Sequence, residues 1–138
     1  MIKHKKNILF MIPTLGRGGA ERQVSVLTKN LKDDFEIDIL VKNLDSGIKY
    51  KYFANIININ HKAGSNILLK FSKYIKNLFF VFNTRHIKGY FKVISFMEEM
   101  NTLNILTNIK SQKSILCVRC HPSELMQGRS LIKLFYKL

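Results

Sequence analysis

Short apolar runs alternate with helix-period segments along this chain, and that alternation restricts the fold more than any other feature. Residues 7–12 form an apolar run bounded by Pro13 and a glycine-rich turn, the pattern of a strand buried on both faces. Val24, Leu27 and Leu31 recur at spacings of three and four, which predicts a helix over 20–31. Phe35, Ile37, Ile39 and Val41 alternate as a second strand, and 55–60 reads as a third. Ile67, Phe71, Ile75, Leu78, Phe79 and Phe82 mark one face of a long helix that also carries Lys70, Lys73 and Lys76. Residues 91–96 and 114–118 are two more apolar strands with a helix over about 101–109 between them, and 124–138 reads as a final helix. Strands that alternate with helices predict an α/β fold: a Rossmann-like, doubly wound parallel sheet flanked by helices. No internal repeat or low-complexity linker divides residues 1–138, so a single domain is expected.

Charge narrows the partners. The 138 residues carry a formal net charge of +14, and no acidic residue lies between Asp45 and Glu98. That stretch holds Lys49, Lys51, Lys62, Lys70, Lys73, Lys76, Arg85, Lys88 and Lys92. A field of this kind attracts phosphate, on a nucleotide, a nucleic acid or an anionic membrane. The excess of Lys, with abundant Ile and Asn, equally suits A/T-rich coding. Nucleic-acid binding rests on charge alone, because no recognition-helix or RNA-binding signature is present.

Several classes fall away. The longest apolar runs, Ile8 to Ile12 and Leu78 to Phe82, are five residues each, against about 20 for a spanning helix. Lys3, Lys5 and Lys6 before an apolar stretch imitate a secretory signal, but the stretch stops at Pro13 and a glycine turn follows. A cytoplasmic protein is the expectation. Cys117-x-x-Cys120-His121 has the spacing of a haem attachment site, yet Cys117 falls inside a strand pattern. His4, His61 and His86 are too scattered to complete a zinc site. No metal and no cofactor is expected, and packing is the expected role of the cysteines.

In open parallel sheets, ligands bind at the carboxyl ends of the strands near the switch in strand order. Three predicted loops meet that description. The first, residues 13–20, contains Gly16, Gly18 and Gly19 before a helix start, where backbone N–H groups can approach an anion. It is neither a nicotinamide fingerprint nor a P-loop, since Gly16-x-Gly18-x-x ends on Glu21 and no Lys-Ser/Thr pair follows. A tight strand-to-helix turn with no ligand uses glycines in the same way. The second loop, 97–101, carries Glu98, Glu99 and Asn101. These acids suit a helix start and equally suit the hydroxyls of a sugar. The third, 119–124, offers Arg119 and His121, an imidazole able to hydrogen-bond a substrate oxygen, with Ser123 or Glu124 as a helix cap.

Three segments together resemble glycosyltransferase family 4. They are the first strand with Gly16-x-Gly18-Gly19-Ala20-Glu21-Arg22, then Val93-Ile-Ser-Phe-Met-Glu98-Glu99-Met-Asn101, then Ser114-Ile-Leu-Cys-Val-Arg119-x-His121-Pro122-Ser123-Glu124-Leu125. More narrowly, they look like the bacterial members that build lipid-linked or surface polysaccharides; residues 46–90 match only in being basic and helical. The resemblance implies a GT-B enzyme, with two Rossmann-like domains across a cleft and retaining transfer from a nucleotide sugar without a required metal. It implies that Gly16, Gly18 and Gly19 approach the donor's diphosphate and sugar, and that His121 lines the reaction centre. Glu98, Glu99, Asn101 and Arg119 would face a glycan or glycolipid acceptor.

Two departures from the family stand out. Phe91-Lys92 replaces the family's Pro-Asp before the fourth strand, and Glu21, Glu36, Glu98, Glu99 and Glu124 do not form the paired glutamates of its C-terminal domain. The expectation is therefore a truncated N-terminal, acceptor-side domain, inactive alone, whose C-terminal half is absent or supplied by a separate chain. The alternative is a non-catalytic module that docks Lys70, Lys73, Lys76, Arg85 and Lys88, with Phe79, Phe80 and Phe82, on the anionic inner face of a membrane.

Overall fold

The computed structural model describes residues 5–59, 67–109 and 112–118. Their order is β1 (Lys6–Ile12), α1 (Gly19–Leu31), β2 (Phe35–Val41), β3 (Asn55–Asn58), α2 (Ile67–Lys88), β4 (Lys92–Phe96), α3 (Glu98–Leu106) and β5 (Lys113–Cys117). All strand pairs are parallel, in the order β3-β2-β1-β4-β5. This is an α/β, Rossmann-like sheet. Among the described residues no helix is long and apolar enough to cross a membrane.

Two-residue periodicity divides the core into two layers. Ile8, Phe10 and Ile12 of β1 join Ile37, Ile39 and Val41 of β2 on the face covered by Ala20 and Val24 of α1. Leu9, Met11 and Leu40 point the other way, where Val81 of α2 and Met100 and Leu103 of α3 cover them. Central β1 is buried on both faces, so its pattern is continuous rather than alternating. Each such aliphatic or aromatic side chain contributes about 1.5–3 kcal/mol on burial.

The element bounds match the sequence reading to within a few residues, with informative exceptions. The third strand ends at Asn58, and α3 begins at Glu98 rather than near Asn101. The orientation of α2 is the less obvious feature. The face marked by its apolar spacing is largely exposed: Phe71 is 66% and Phe79 64% accessible, with Ile75 and Phe82 also exposed. The buried wedge is Asn77, Val81 and Arg85, with Tyr74 partly buried alongside. The helix turns this polar wedge inward because α3 and the residues before β5 supply partners for Arg85. Its guanidinium reaches Gln112, Asn104, Thr107, Asn108 and Ser114. The final predicted helix, 124–138, lies outside the described residues.

Polar chemistry at the amino end of the sheet is tied into the fold. Asp38 on β2 accepts from Tyr90 Oη at 2.5 Å, Lys88 Nζ at 2.8 Å and Asn55 Nδ2 at 3.1 Å. Burial pushes this carboxyl up, but the hydrogen bonds from Lys88, Tyr90 and Asn55 and the charge of Lys88 outweigh it and hold it below the usual value.

Candidate functional site

Strand order fixes where a site would form. From β1 the chain moves to β2 and β3 on one side, then returns to β4 and β5 on the other, so the order reverses between β1 and β4. The crevice beyond their carboxyl ends is the position that doubly wound folds use for ligands. Two of the three predicted loops flank it: residues 13–18 after β1 and Met97 after β4. Arg119 and His121 of the third lie outside the described residues.

The first loop is held by the segment after β2. Asn43 N donates to Pro13 O at 3.2 Å, and Lys49 N to Leu15 O at 3.0 Å. Ser46 packs so closely on Gly16 that a Cβ there would sit 2.8 Å from its hydroxyl oxygen. At Gly18 a Cβ would collide with the Glu21 carboxylate. Gly19 is exposed, and a Cβ added there would meet nothing within 4 Å. Two of the three glycines therefore admit the chain's own side chains, and only Gly19 borders open space.

Glu21 is a residue to which the sequence reading gave no role. It stands three positions after the N-cap Gly18 and is 8% exposed. Thr14 Oγ1 donates to its Oε1 at 2.9 Å, and Tyr52 Oη donates to its backbone oxygen at 3.4 Å. Burial and the Glu21 charge push the Tyr52 phenol up to about 12. A Glu at the third helical position is the acidic half of a capping box, and here Thr14 rather than the N-cap Gly18 supplies its hydroxyl partner.

Across the crevice, Glu98 and Glu99 occupy the first turn of α3, where the helix dipole favours acids. They have separate surroundings. Glu99 Oε1 lies 2.5 Å from Lys42 Nζ, the residue after β2, in an ion pair that spans the rim. Burial and Glu99 push the Tyr74 phenol up. Glu98, half-buried, has no ion-pair partner among the described residues. Asn101 is turned inward: its Oδ1 accepts from Ser95 Oγ at 2.7 Å and its Nδ2 donates to Cys117 O at 3.3 Å. It braces β4 and β5 instead of facing the crevice.

Met97 joins β4 to α3 with φ 69° and ψ 153°, the only non-glycine residue at positive φ among those described. Its side chain is exposed and, as N-cap of α3, it makes no side-chain cap hydrogen bond. Nothing in sequence marked this position.

Chemically, the rim offers carboxylates, a lysine and an exposed thioether. Among the described residues no three His, Cys, Asp or Glu side chains are grouped to hold a metal ion. No protein-family model matches the chain, and no curated protein matches it.

Proposed function

We propose that this chain is the acceptor-side domain of an enzyme that transfers a sugar from a nucleotide sugar to a glycan or glycolipid. The observation that carries this reading is the pairing of the glycine turn and the acid-bearing turn at the carboxyl ends of neighbouring β1 and β4. It has the three-segment resemblance to glycosyltransferase family 4 behind it. In this reading Glu98 accepts hydrogen bonds from acceptor hydroxyls, Lys42 fixes Glu99 beside it, and Asn101 acts only through the strands it braces. Arg119 and His121 keep the roles that the resemblance implies, His121 at the reaction centre and Arg119 beside the acceptor. Transfer requires donor and acceptor held together, so a second Rossmann-like domain completes the cleft and the chain alone does not turn over.

Amide NMR tests this directly. Titration with nucleotide diphosphate sugars and with polyprenyl-phosphate-linked saccharides is expected to shift residues 16–19 and 97–99, with no transfer of radiolabelled sugar. Unmoved rim amides across both series overturn the reading, and measured turnover overturns the need for a second domain.

A second reading, a peripheral membrane surface, is favoured by the exposed Phe71, Ile75, Phe79 and Phe82 on α2. Two of the five cations first expected there do not contribute, because Arg85 is buried and Lys88 is paired with Asp38. Lys76 and the net charge of +14 supply the attraction to anionic lipid. Co-sedimentation with anionic vesicles at low salt, lost in Phe71→Ser/Phe79→Ser, is the expected result; equal sedimentation of both proteins removes this reading.

A further inference from the structure

The amino edge of the sheet, opposite the crevice, carries a cluster of cations that the proposed chemistry does not use. Side-chain alternation puts three lysines on one face there. Lys6 stands two residues before Ile8 and Lys92 two before Ile94, and both isoleucines pack in the α1 layer. Lys113 stands four before Cys117, which joins the same layer. Lys92 is the register partner of Ile8 on one side and of Lys113 on the other. Two like charges therefore stand side by side on strands about 4.8 Å apart, an arrangement that costs stability.

A ring, rather than a carboxylate, holds part of this cluster. Lys6 Nζ lies 4.2 Å and Lys92 Nζ 5.5 Å from the centroid of the exposed Phe91. A π face positions an ammonium group without neutralising it. The acids of β2 face away: Glu36 and Asp38 alternate to the side opposite Ile37 and Ile39, where Asp38 holds Lys88. Asp33 and Asp34 lead into β2, which β1 separates from β4 and β5. Among the described residues none of the three lysines is in an ion pair. Lysines on outer strands discourage strand addition; this suits Lys113 on β5 but not Lys92, since β4 is flanked by β1 and β5.

We propose that Lys6, Lys92 and Lys113 form a phosphate site at the amino edge of the sheet, taking the phosphomonoester or diphosphate group of a ligand. A dianion among them relieves the Lys92–Lys113 repulsion and accepts charge-assisted hydrogen bonds from ammonium groups that Phe91 already positions. A neutral hydroxyl brings no charge to do this. The site lies at the opposite end of the strands from the crevice, so it goes beyond the function proposed above and does not depend on it.

Inorganic pyrophosphate, titrated into the full chain at constant ionic strength, is expected to give saturable amide shifts at residues 6–8, 91–93 and 113–115. Lys92→Gln/Lys113→Gln is expected to weaken this binding at least about tenfold. Lys29→Gln/Lys49→Gln removes the same charge from exposed positions elsewhere and is expected to bind as the wild type does. Lys6→Gln, which leaves the Lys92–Lys113 register pair untouched, serves if the first double variant does not fold, with an expected loss of about threefold or more. Equal weakening in both double variants overturns the proposal, and so does a wild type without saturable shifts at these amides. Vesicles containing phosphatidic acid, a phosphomonoester lipid, separate two sources of the phosphate. Sedimentation of the wild type that is lost in Lys92→Gln/Lys113→Gln assigns it to a headgroup; equal sedimentation of both, with pyrophosphate binding intact in the wild type, assigns it to a soluble ligand. No readout uses residues 16–19 or 97–99, so failure here and failure of the sugar-transfer reading are distinguishable.

Discussion

Arg85 Nη1 donates to both the backbone oxygen and Oδ1 of Asn104, at 2.8 and 3.0 Å, and every other acceptor found around this buried guanidinium is also neutral. Burial pulls the group down to about 10, which leaves it charged at neutral pH. A buried cation without a carboxylate is tolerable only because its donors are matched by amide, hydroxyl and backbone oxygens. The cluster joins α2, α3 and the residues before β5 into one unit behind β4.

Removing that guanidinium strands several buried acceptors at once. Arg85→Met is expected to lower stability by about 3 kcal/mol or more, and its melting temperature by roughly 10 °C. Arg85→Lys recovers only part of this, since three donors at one point cannot span the same acceptors. Thermal and urea denaturation measure both. A methionine variant as stable as the wild type would show that the cluster is ornamental.

Asp38 and Tyr90 give stability an acid arm and an alkaline arm. Asp38 is held below its ordinary 3.8 in the fold. Its contribution is present above that pH and is lost as pH falls through the folded value, because the unfolded chain takes up the proton first. Burial, the hydrogen bond to Asp38 and its charge push the Tyr90 phenol up from 10. Tyr90 therefore contributes fully below pH 10, and stability declines above it as the unfolded phenol ionises while the folded one does not. Tyr90→Phe should make the alkaline decline shallower without abolishing it, since the Tyr52 and Tyr74 phenols are also raised. Denaturant midpoints across pH test this, and an unchanged alkaline slope in the variant contradicts it.

The three rim glycines should respond differently to alanine. Gly19→Ala meets nothing within 4 Å, needs no unusual backbone, and enters the first turn of α1, so it should be neutral or stabilise by up to about 1 kcal/mol. Gly18→Ala displaces the Glu21 carboxylate from Thr14 and should destabilise by about 1–2 kcal/mol. Combining it with Glu21→Ala should remove most of that cost. The coupling from a double-mutant cycle is the readout, and additive effects would mean that Gly18 and Glu21 are not in contact.

Strand positions were legible because burial on two faces leaves continuous apolar runs, and Asn7 to Ile12 is such a run. The α2 face was not. Apolar spacing singles out Phe71, Ile75, Phe79 and Phe82, while the buried wedge contains Asn77 and Arg85, which a hydropathy pattern assigns to solvent. Only the acceptors on α3 and at Gln112 explain why Arg85 is inside. The start of α3 was misplaced because Met97 is not a capping residue type. The Lys42–Glu99 pair depends on β2 and β4 flanking β1, which no spacing in the chain encodes. Glu21 could have been found, since an acid in the first turn of a helix is favoured by the dipole.

Met97 contradicts local preference on three counts at once. Its φ of 69° with ψ of 153° falls in a region suited to glycine and costs of order 1–3 kcal/mol for other residues. As N-cap it has no oxygen for the first turn of α3, and its apolar side chain is 43% exposed. Met97→Gly should therefore raise stability by about 1–3 kcal/mol, and Met97→Ala should not, because it keeps the strained backbone. The residue borders the crevice between β1 and β4, where stored strain commonly serves ligand contact. The more stable glycine variant is accordingly expected to lose the amide response of residues 16–19 to saccharide. Melting curves of both variants decide the first point: a glycine variant no more stable than alanine would mean that the backbone at Met97 carries no strain. Saccharide titration of the glycine variant decides the second, since an undiminished response would leave the thioether without a role at the rim.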